Sequence, residues 1–167
     1  MNPSTWLLTH IERIKNQRVL DIACGTGRHI QPLLDAGCEV FAVDRNIQTL
    51  STLKKHPRLH LWAQDVEHRA LPAMQVDVLV VFMFLHRALF ADMARLLRPG
   101  GILLHETFHI AHREKFGRPR HEAFCWQVGE AEDLLCHAGF DIEKLEEAVA
   151  TPSGMMTRLV AKKREEG

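Results

Sequence analysis

Val19-Leu20-Asp21-Ile22-Ala23-Cys24-Gly25-Thr26-Gly27-Arg28-His29 reads as a buried strand that ends in an acid, passes through small residues and opens a helix at Gly-x-Gly. Small residues at such a turn let the backbone approach a ligand closely, and the first turn of the helix offers N–H groups that have no intrahelical partner. Two glycines alone fit an ordinary strand-to-helix turn equally well. The sequence on either side has to decide between the two.

Outward from that stretch, short β-branched runs alternate with segments of helical period. The spacing predicts a strand over 18–22, a helix over 26–36 with Gly37 in the C-cap position, and a second strand over 39–43 that ends at Asp44. A helix over 47–55 stops before Pro57, and 59–63 is a third strand. Residues 76–81 are apolar on both faces, as a central parallel strand is. A helix over 88–97 ends at Arg98-Pro99-Gly100-Gly101, ahead of a strand over 102–107. A helix over 131–138 is capped by Gly139, and strands over 140–148 and 155–162 are joined by the turn Thr151-Pro152-Ser153-Gly154. This predicts an α/β, Rossmann-like doubly wound, mostly parallel sheet with a C-terminal antiparallel hairpin, in three α/β/α layers.

Two segments stand outside the alternation. Residues 1–15 carry a leading helix. Residues 109–129 are polar, with Phe116, Phe124 and Trp126 among charges. A loop of ~20 residues in a compact domain is more often functional than idle, so it is expected to cover the active site.

The 167 residues hold 21 Lys+Arg against 21 Asp+Glu, with 46% apolar and 25% charged. That balance predicts one globular domain over 1–167 and excludes a disordered or fibrous chain. Zero net charge argues against nucleic acid as a partner. The longest apolar run, Val78 to Leu85, is eight residues, against the ~20 needed to cross a bilayer. The first residues lack the positive and apolar regions of a signal peptide, so the expected location is cytoplasmic. Cys24, Cys38, Cys125 and Cys136 show no CxxC or zinc spacing and are expected to be reduced. The hairpin edge leaves a homodimer open.

Asp44 lies 17 residues beyond Gly27, where a carboxylate accepts both hydroxyls of a ribose in a Rossmann-type crevice. The alternative is a cap on the helix beginning near Asn46. A dinucleotide fold wants a third glycine to seat a pyrophosphate, but Ile30 occupies that position, and Asp21 would repel phosphate. Asp21 suits a ligand carrying an amine or a sulfonium, and S-adenosylmethionine has both and no phosphate.

With these residues in place, the chain resembles the class I S-adenosylmethionine-dependent methyltransferases. The resemblance rests on the Asp21-x-Ala23-x-Gly25-x-Gly27 loop, Asp44, Gln64-Asp65 and Arg98-Pro99-Gly100-Gly101, and covers about 15–165. The compact length, with Leu85-His86-Arg87-Ala88-Leu89-Phe90 and Glu106-Thr107-Phe108, is similar to small bacterial tellurite-resistance and thiopurine methyltransferases. The resemblance implies that Asp44 binds the ribose, Asp65 the adenine amino group and Asp21 the methionine moiety. The Gly25 and Gly27 backbones would line it, beside Ala23, where the family loop often has glycine. Arg45 or Ile47 would lie against the adenine, and Val66 and Phe82 complete the expected cofactor-binding set. Asp65 also reads as a turn residue.

The acceptor belongs outside the carboxyl ends of the fourth and fifth strands. His86 is the best-placed base there, with helix capping or packing as its alternative. Arg87 would fix an anionic acceptor or pair with an acid, and Glu106 would hold a cationic acceptor or bond a backbone amide. The Asn/Asp-Pro-Pro-Tyr/Phe tetrapeptide of amino-methylases is absent. His105, His109 and His112 lack a fixed ligand geometry, so no metal is expected. The expected function is methyl transfer from S-adenosylmethionine to a small-molecule acceptor, with S-adenosylhomocysteine as product. The alternatives are a nicotinamide-dependent oxidoreductase or a non-catalytic S-adenosylmethionine-binding protein.

Overall fold

The computed structural model describes residues 1–165, apart from the side chain of Ile47. Seven strands form one sheet in the order β3-β2-β1-β4-β5-β7-β6. They are β1 Arg18–Ile22, β2 Glu39–Asp44, β3 Leu59–Ala63, β4 Val76–Phe82, β5 Leu97–Phe108, β6 Phe140–Thr151 and β7 Gly154–Lys163. Strands β1 to β5 run parallel, while β7 is antiparallel to both β5 and β6. The doubly wound sheet with its C-terminal hairpin is therefore the architecture that the alternation predicts.

Among the described residues six helices flank the sheet: α1 Thr5–His10, α2 Ile30–Asp35, α3 Ile47–Ser51, α4 Leu89–Leu96, α5 Ile110–Phe116 and α6 Glu130–His137. Leu7 of α1, Leu33 of α2 and Leu50 of α3 pack with Val19, Val40, Val78 and Val80 on one face. Phe90 and Met93 of α4 and Leu135 of α6 pack with Leu20, Leu79, Val81 and Leu103 on the other. A strand covered on both sides has to be apolar at every position, which is why β4 reads as an unbroken run. Each fully buried Val or Leu in it contributes about 1.5–3 kcal/mol of burial.

Several bounds differ from those expected. The helix after the glycine loop begins only at Ile30, because Ala23, Gly25 and Gly27 all take positive φ and the chain turns until His29. Helix α3 ends at Ser51 rather than at 55. Strand β5 starts at Leu97 and runs through Arg98-Pro99-Gly100-Gly101, where Gly100 takes φ +77° and the register against β4 shifts between Val76 and Val78. A Cβ on Gly101 would stand 2.9 Å from the carbonyl oxygens of Arg98 and Asp77, so the close pairing there requires glycine. The leading segment is α1 followed by a single 3-10 turn over Ile11–Ile14. Residues 109–129 are not a bare loop: they hold α5 and a 3-10 turn over Glu122–Phe124.

Candidate active site

A cavity of about 630 Å³ opens over the carboxyl ends of the parallel strands. Its wall is built from residues that end or follow those strands: Ala23, Gly25 and Thr26 after β1, Asp44 to Asn46 at β2, Gln64 to Glu67 after β3, Met83 to Leu85 after β4, and Thr107 and Phe108 at the end of β5. Pro119 and Phe124 reach it from the 109–129 segment. Parallel strands direct their following loops to one edge, which is why residues far apart in sequence meet here.

Of the expected cofactor residues, Ala23, Gly25, Asp44, Arg45, Asp65 and Val66 line this cavity. Asp44 is fixed from two sides: Oδ2 accepts from the Gly25 N–H at 2.9 Å and Oδ1 from the Asn46 N–H at 2.9 Å. It thus ties the β1 loop to the end of β2, and each carboxylate oxygen keeps room for a further hydrogen bond. The cap of α3 is not Asp44 but Asn46, whose Oδ1 accepts from the Thr49 N–H. Asp65 does serve as a turn residue, accepting from the Glu67 N–H at 3.1 Å, and it pairs with His68 at 2.8 Å. The His68 contact holds its carboxyl below the usual range. Ile47 as an adenine contact falls outside the described side chains.

Asp21 is buried rather than on the cavity wall, and its Oδ2 has no partner among the described residues. Burial pushes its pKa up to about 8, with Arg28 opposing the rise and Asp44 adding to it. Gly27 and Phe82 also lie off the wall. The open side of Gly27 is filled, since an added Cβ would stand 2.8 Å from Leu53 Cδ2. The Phe82 ring packs against His29, with centroids 4.5 Å apart. These two residues shape the turn and its packing instead.

None of the three expected catalytic residues lines the cavity. The His86 carbonyl accepts from the Leu89 N–H at the start of α4, which is a helix-initiating contact. Arg87 is committed elsewhere. Its Nε donates to Glu130 Oε2 at 2.5 Å, Nη1 to the Ala123 carbonyl at 2.8 Å, and Nη2 to the Cys125 carbonyl at 2.8 Å. Glu106 faces the α1 side of the sheet, where Oε1 accepts from Ser4 Oγ at 2.7 Å and Oε2 has no partner among the described residues. Strand alternation turns Glu106 to the face opposite Thr107, beneath the N-terminal segment, while Thr107 and the strand-ending Phe108 reach the cavity.

The three histidines of β5 and α5 are occupied structurally. His105 is fully buried, with Nδ1 on the Val81 carbonyl at 2.8 Å and Nε2 accepting from the Trp126 indole N–H at 2.8 Å. His109 Nδ1 caps α5 by accepting from the Ala111 N–H, and His112 Nδ1 accepts from the Met155 N–H. Trp126 is a buried anchor that pins the 109–129 segment to the sheet, and Phe116 is exposed away from the wall. Of those three rings only Phe124 reaches the cavity.

The sequence reading passed over Met83 and Pro119. Met83 takes φ +55° just past β4, the counterpart of Ala23 at φ +57° just past β1. A left-handed residue that is not glycine costs energy and marks a site where the chain is held. Neither methionine nor alanine announces that conformation in a sequence.

Residues 19–101 match the model of the methyltransferase domain family. This stretch belongs to that family. The tRNA U34 carboxymethyltransferase of Idiomarina loihiensis is 30% identical over 115 residues, which is 60% of this chain and 36% of that protein. The demethylmenaquinone methyltransferase of Renibacterium salmoninarum is 31% identical over 106 residues, 57% of this chain and 45% of that protein. The chain thus spans less than half the length of these curated relatives. Among solved structures, an S-adenosylmethionine dependent methyltransferase from Mesorhizobium loti superposes with a TM-score of 0.77 at 18% identity, covering 95% of this chain and 98% of that one. At that identity the likeness speaks for the fold.

S-adenosylmethionine is what the Mesorhizobium loti neighbour's name says that protein depends on. The residues present fit it. Gly25 has φ +57° and nothing within 4 Å of where a Cβ would stand, so its backbone is bare to the cavity. A cation near the orphaned Asp21 oxygen would favour ionisation of a carboxyl that burial otherwise keeps protonated, and the carboxylates of Asp44 and Asp65 leave this end of the wall acidic, unsuited to a phosphate. The exclusion of nucleic acid drawn from net charge gains no support from relatives that include a tRNA-modifying enzyme.

Proposed function

We propose that this protein transfers a methyl group from S-adenosylmethionine to a small-molecule acceptor. The observation that carries the reading is the cavity over the strand ends, acidic at the β2–β3 end and apolar at the β4–β5 end. In this reading Asp44 accepts the ribose hydroxyls, Asp65 and Val66 face the adenine beside Arg45, and the Gly25 backbone receives the amino-acid part, with Asp21, buried off the wall, acting on its amino group through charge alone. When bound, the cofactor supplies an electrophilic methyl group on a sulfonium centre.

At the acceptor end the chain's own residues position and dehydrate. Met83, Phe84, Leu85, Thr107, Phe108, Pro119 and Phe124 offer no titratable side chain to take a proton. The acceptor therefore arrives as a nucleophile or loses its proton to water, and the acceleration comes from alignment in an apolar wall. In place of His86, Arg87 and Glu106, Phe108 and Phe124 carry specificity. The narrower resemblance to tellurite-resistance and thiopurine enzymes adds a soft sulfur or chalcogen acceptor atom, which such a wall accommodates.

The test follows release of S-adenosylhomocysteine from S-adenosylmethionine across thiols, chalcogen oxyanions, small amines and a tRNA transcript, with dinucleotide binding as control. Turnover on a small acceptor is expected, with Phe124→Ala raising its KM. Turnover on the transcript alone would replace the acceptor reading. Stabilisation by NAD without stabilisation by S-adenosylhomocysteine would replace the methyl-transfer reading with a dinucleotide enzyme.

A further inference from the structure

Resting on the methyl-transfer reading above, we infer that the acceptor is a small molecule with an apolar, ring-sized body and one anionic group, its body against Phe84, Phe108 and Phe124 and its anion at the cavity mouth with Arg118 and Arg120. The two ends of the cavity differ in charge. At the β2–β3 end Asp44, Asp65 and Glu67 stand against one cation, Arg45. At the β4–β5 end Thr107 supplies the one polar side chain among the lining residues, and the rest are apolar. Such a wall selects the body of a ligand and is indifferent to its charge.

The charge comes from the segment that brings Pro119 and Phe124 to the wall. Arg118 and Arg120 flank Pro119 and are exposed, as is Lys115. Among the described residues none of these three cations makes an ion pair, whereas Arg13, Arg18, Arg87 and Arg158 each hold a carboxylate. From 113 to 122 the chain carries Arg113, Lys115, Arg118 and Arg120 against Glu114 and Glu122, a local excess in a chain whose totals cancel. An unmatched cluster at the rim of an uncharged pocket has its use in an anion arriving from solution.

The cluster is held in place. The Gly117 N–H donates to the Arg113 carbonyl at 2.8 Å, Arg113 Nη2 donates to the Arg120 carbonyl at 3.4 Å, and Arg87 grips the Ala123 carbonyl. Cations on a braced turn lose less freedom on binding than cations on a tail. The acidic far end also limits the ligand: a long phosphate backbone laid across the mouth meets Asp44, Asp65 and Glu67, while a single anionic group meets only the cationic rim.

The test is ligand-observed NMR on the whole chain saturated with S-adenosylhomocysteine, at low salt. The probes are benzoate against benzamide, indole-3-acetate against indole-3-acetamide, and a uridine hexamer RNA. Each carboxylate is expected to bind about fivefold more tightly than its amide, the range of an exposed ion pair, with the preference erased in the doubly reversed variant R118E/R120E and by salt. Equal affinity of acid and amide for the wild type, binding by neither, a preference that survives R118E/R120E, or tighter binding of the hexamer than of either carboxylate overturns the inference. If the wild type fails to bind S-adenosylhomocysteine, the methyl-transfer reading falls instead, so the two failures are distinguishable.

Discussion

Asp21 is a carboxyl with one oxygen buried and unpartnered, held between Arg28 and the charge of Asp44. Its pKa of about 8 lies above the ordinary 3.8. The folded chain therefore holds a proton there that the unfolded chain releases, and stability of the free protein falls as pH rises from about 4 to 8. Asp21→Asn removes that fall. Urea midpoints at pH 6 and pH 8 are expected to converge in the variant, while its affinity for S-adenosylhomocysteine drops because a cation loses its counter-charge. Retained affinity would place the amino group of the cofactor elsewhere. Residues of this kind were legible in the sequence: an acid closing a buried strand ahead of Gly-x-Gly has few structural uses. Arg87 and Glu106 were not, because a strand or loop residue facing the right edge in sequence can still turn its side chain to the other side. Two carbonyls and a carboxylate from 122–130 claim Arg87, and Ser4 claims Glu106.

At the scale of elements, the 109–129 segment is fastened by two contacts that its own sequence does not show. One is the Trp126 indole on His105, and the other is the Arg87 grip on Ala123, Cys125 and Glu130. Arg87→Ala takes the donor from two carbonyls and from Glu130 Oε2 on a partly buried surface, leaving Glu130 only its bond from the Gln127 N–H, which costs about 1–3 kcal/mol. The expected results are faster proteolysis within 117–130 and a raised KM for the acceptor, with S-adenosylhomocysteine affinity retained. Lost cofactor affinity at unchanged proteolysis would assign Arg87 to the cofactor instead. Five of the seven strands were readable to within a residue, since β-branched runs bounded by acids and glycines have one physical use, while β5 begins five residues earlier and β6 ends three residues later than expected. Two helices were read too long: α2 and α3 have six and five residues, as positive φ at the glycine turn delays the start of α2, while α3 ends at Ser51, well short of Pro57.

For the whole molecule, the sheet order and both covered faces follow from the alternation of the chain, and the cavity follows from the parallel strands. What the sequence hid is which titratable groups the fold closes off. Burial lowers the pKa of His105 to about 4 and that of His29 to about 3. Between pH 4 and 6.5 the unfolded chain binds protons at these positions that the folded chain refuses, so their contribution to stability is lost as pH falls. With the opposite slope of Asp21 above pH 6.5, urea midpoints are expected to peak near pH 6–7, and His105→Gln flattens the acid limb. Midpoints still rising from pH 6.5 to 8 would contradict the balance of these three groups.

The central claim is that the acidic end of the cavity receives the ribose of S-adenosylmethionine on Asp44. Calorimetry with S-adenosylhomocysteine on the wild type and Asp44→Ala tests it most directly. Micromolar binding by the wild type, weakened by about 2–4 kcal/mol in the variant through the loss of charge-assisted bonds to two hydroxyls, is the predicted result. Equal affinity in the two proteins, or no binding by either, would contradict it.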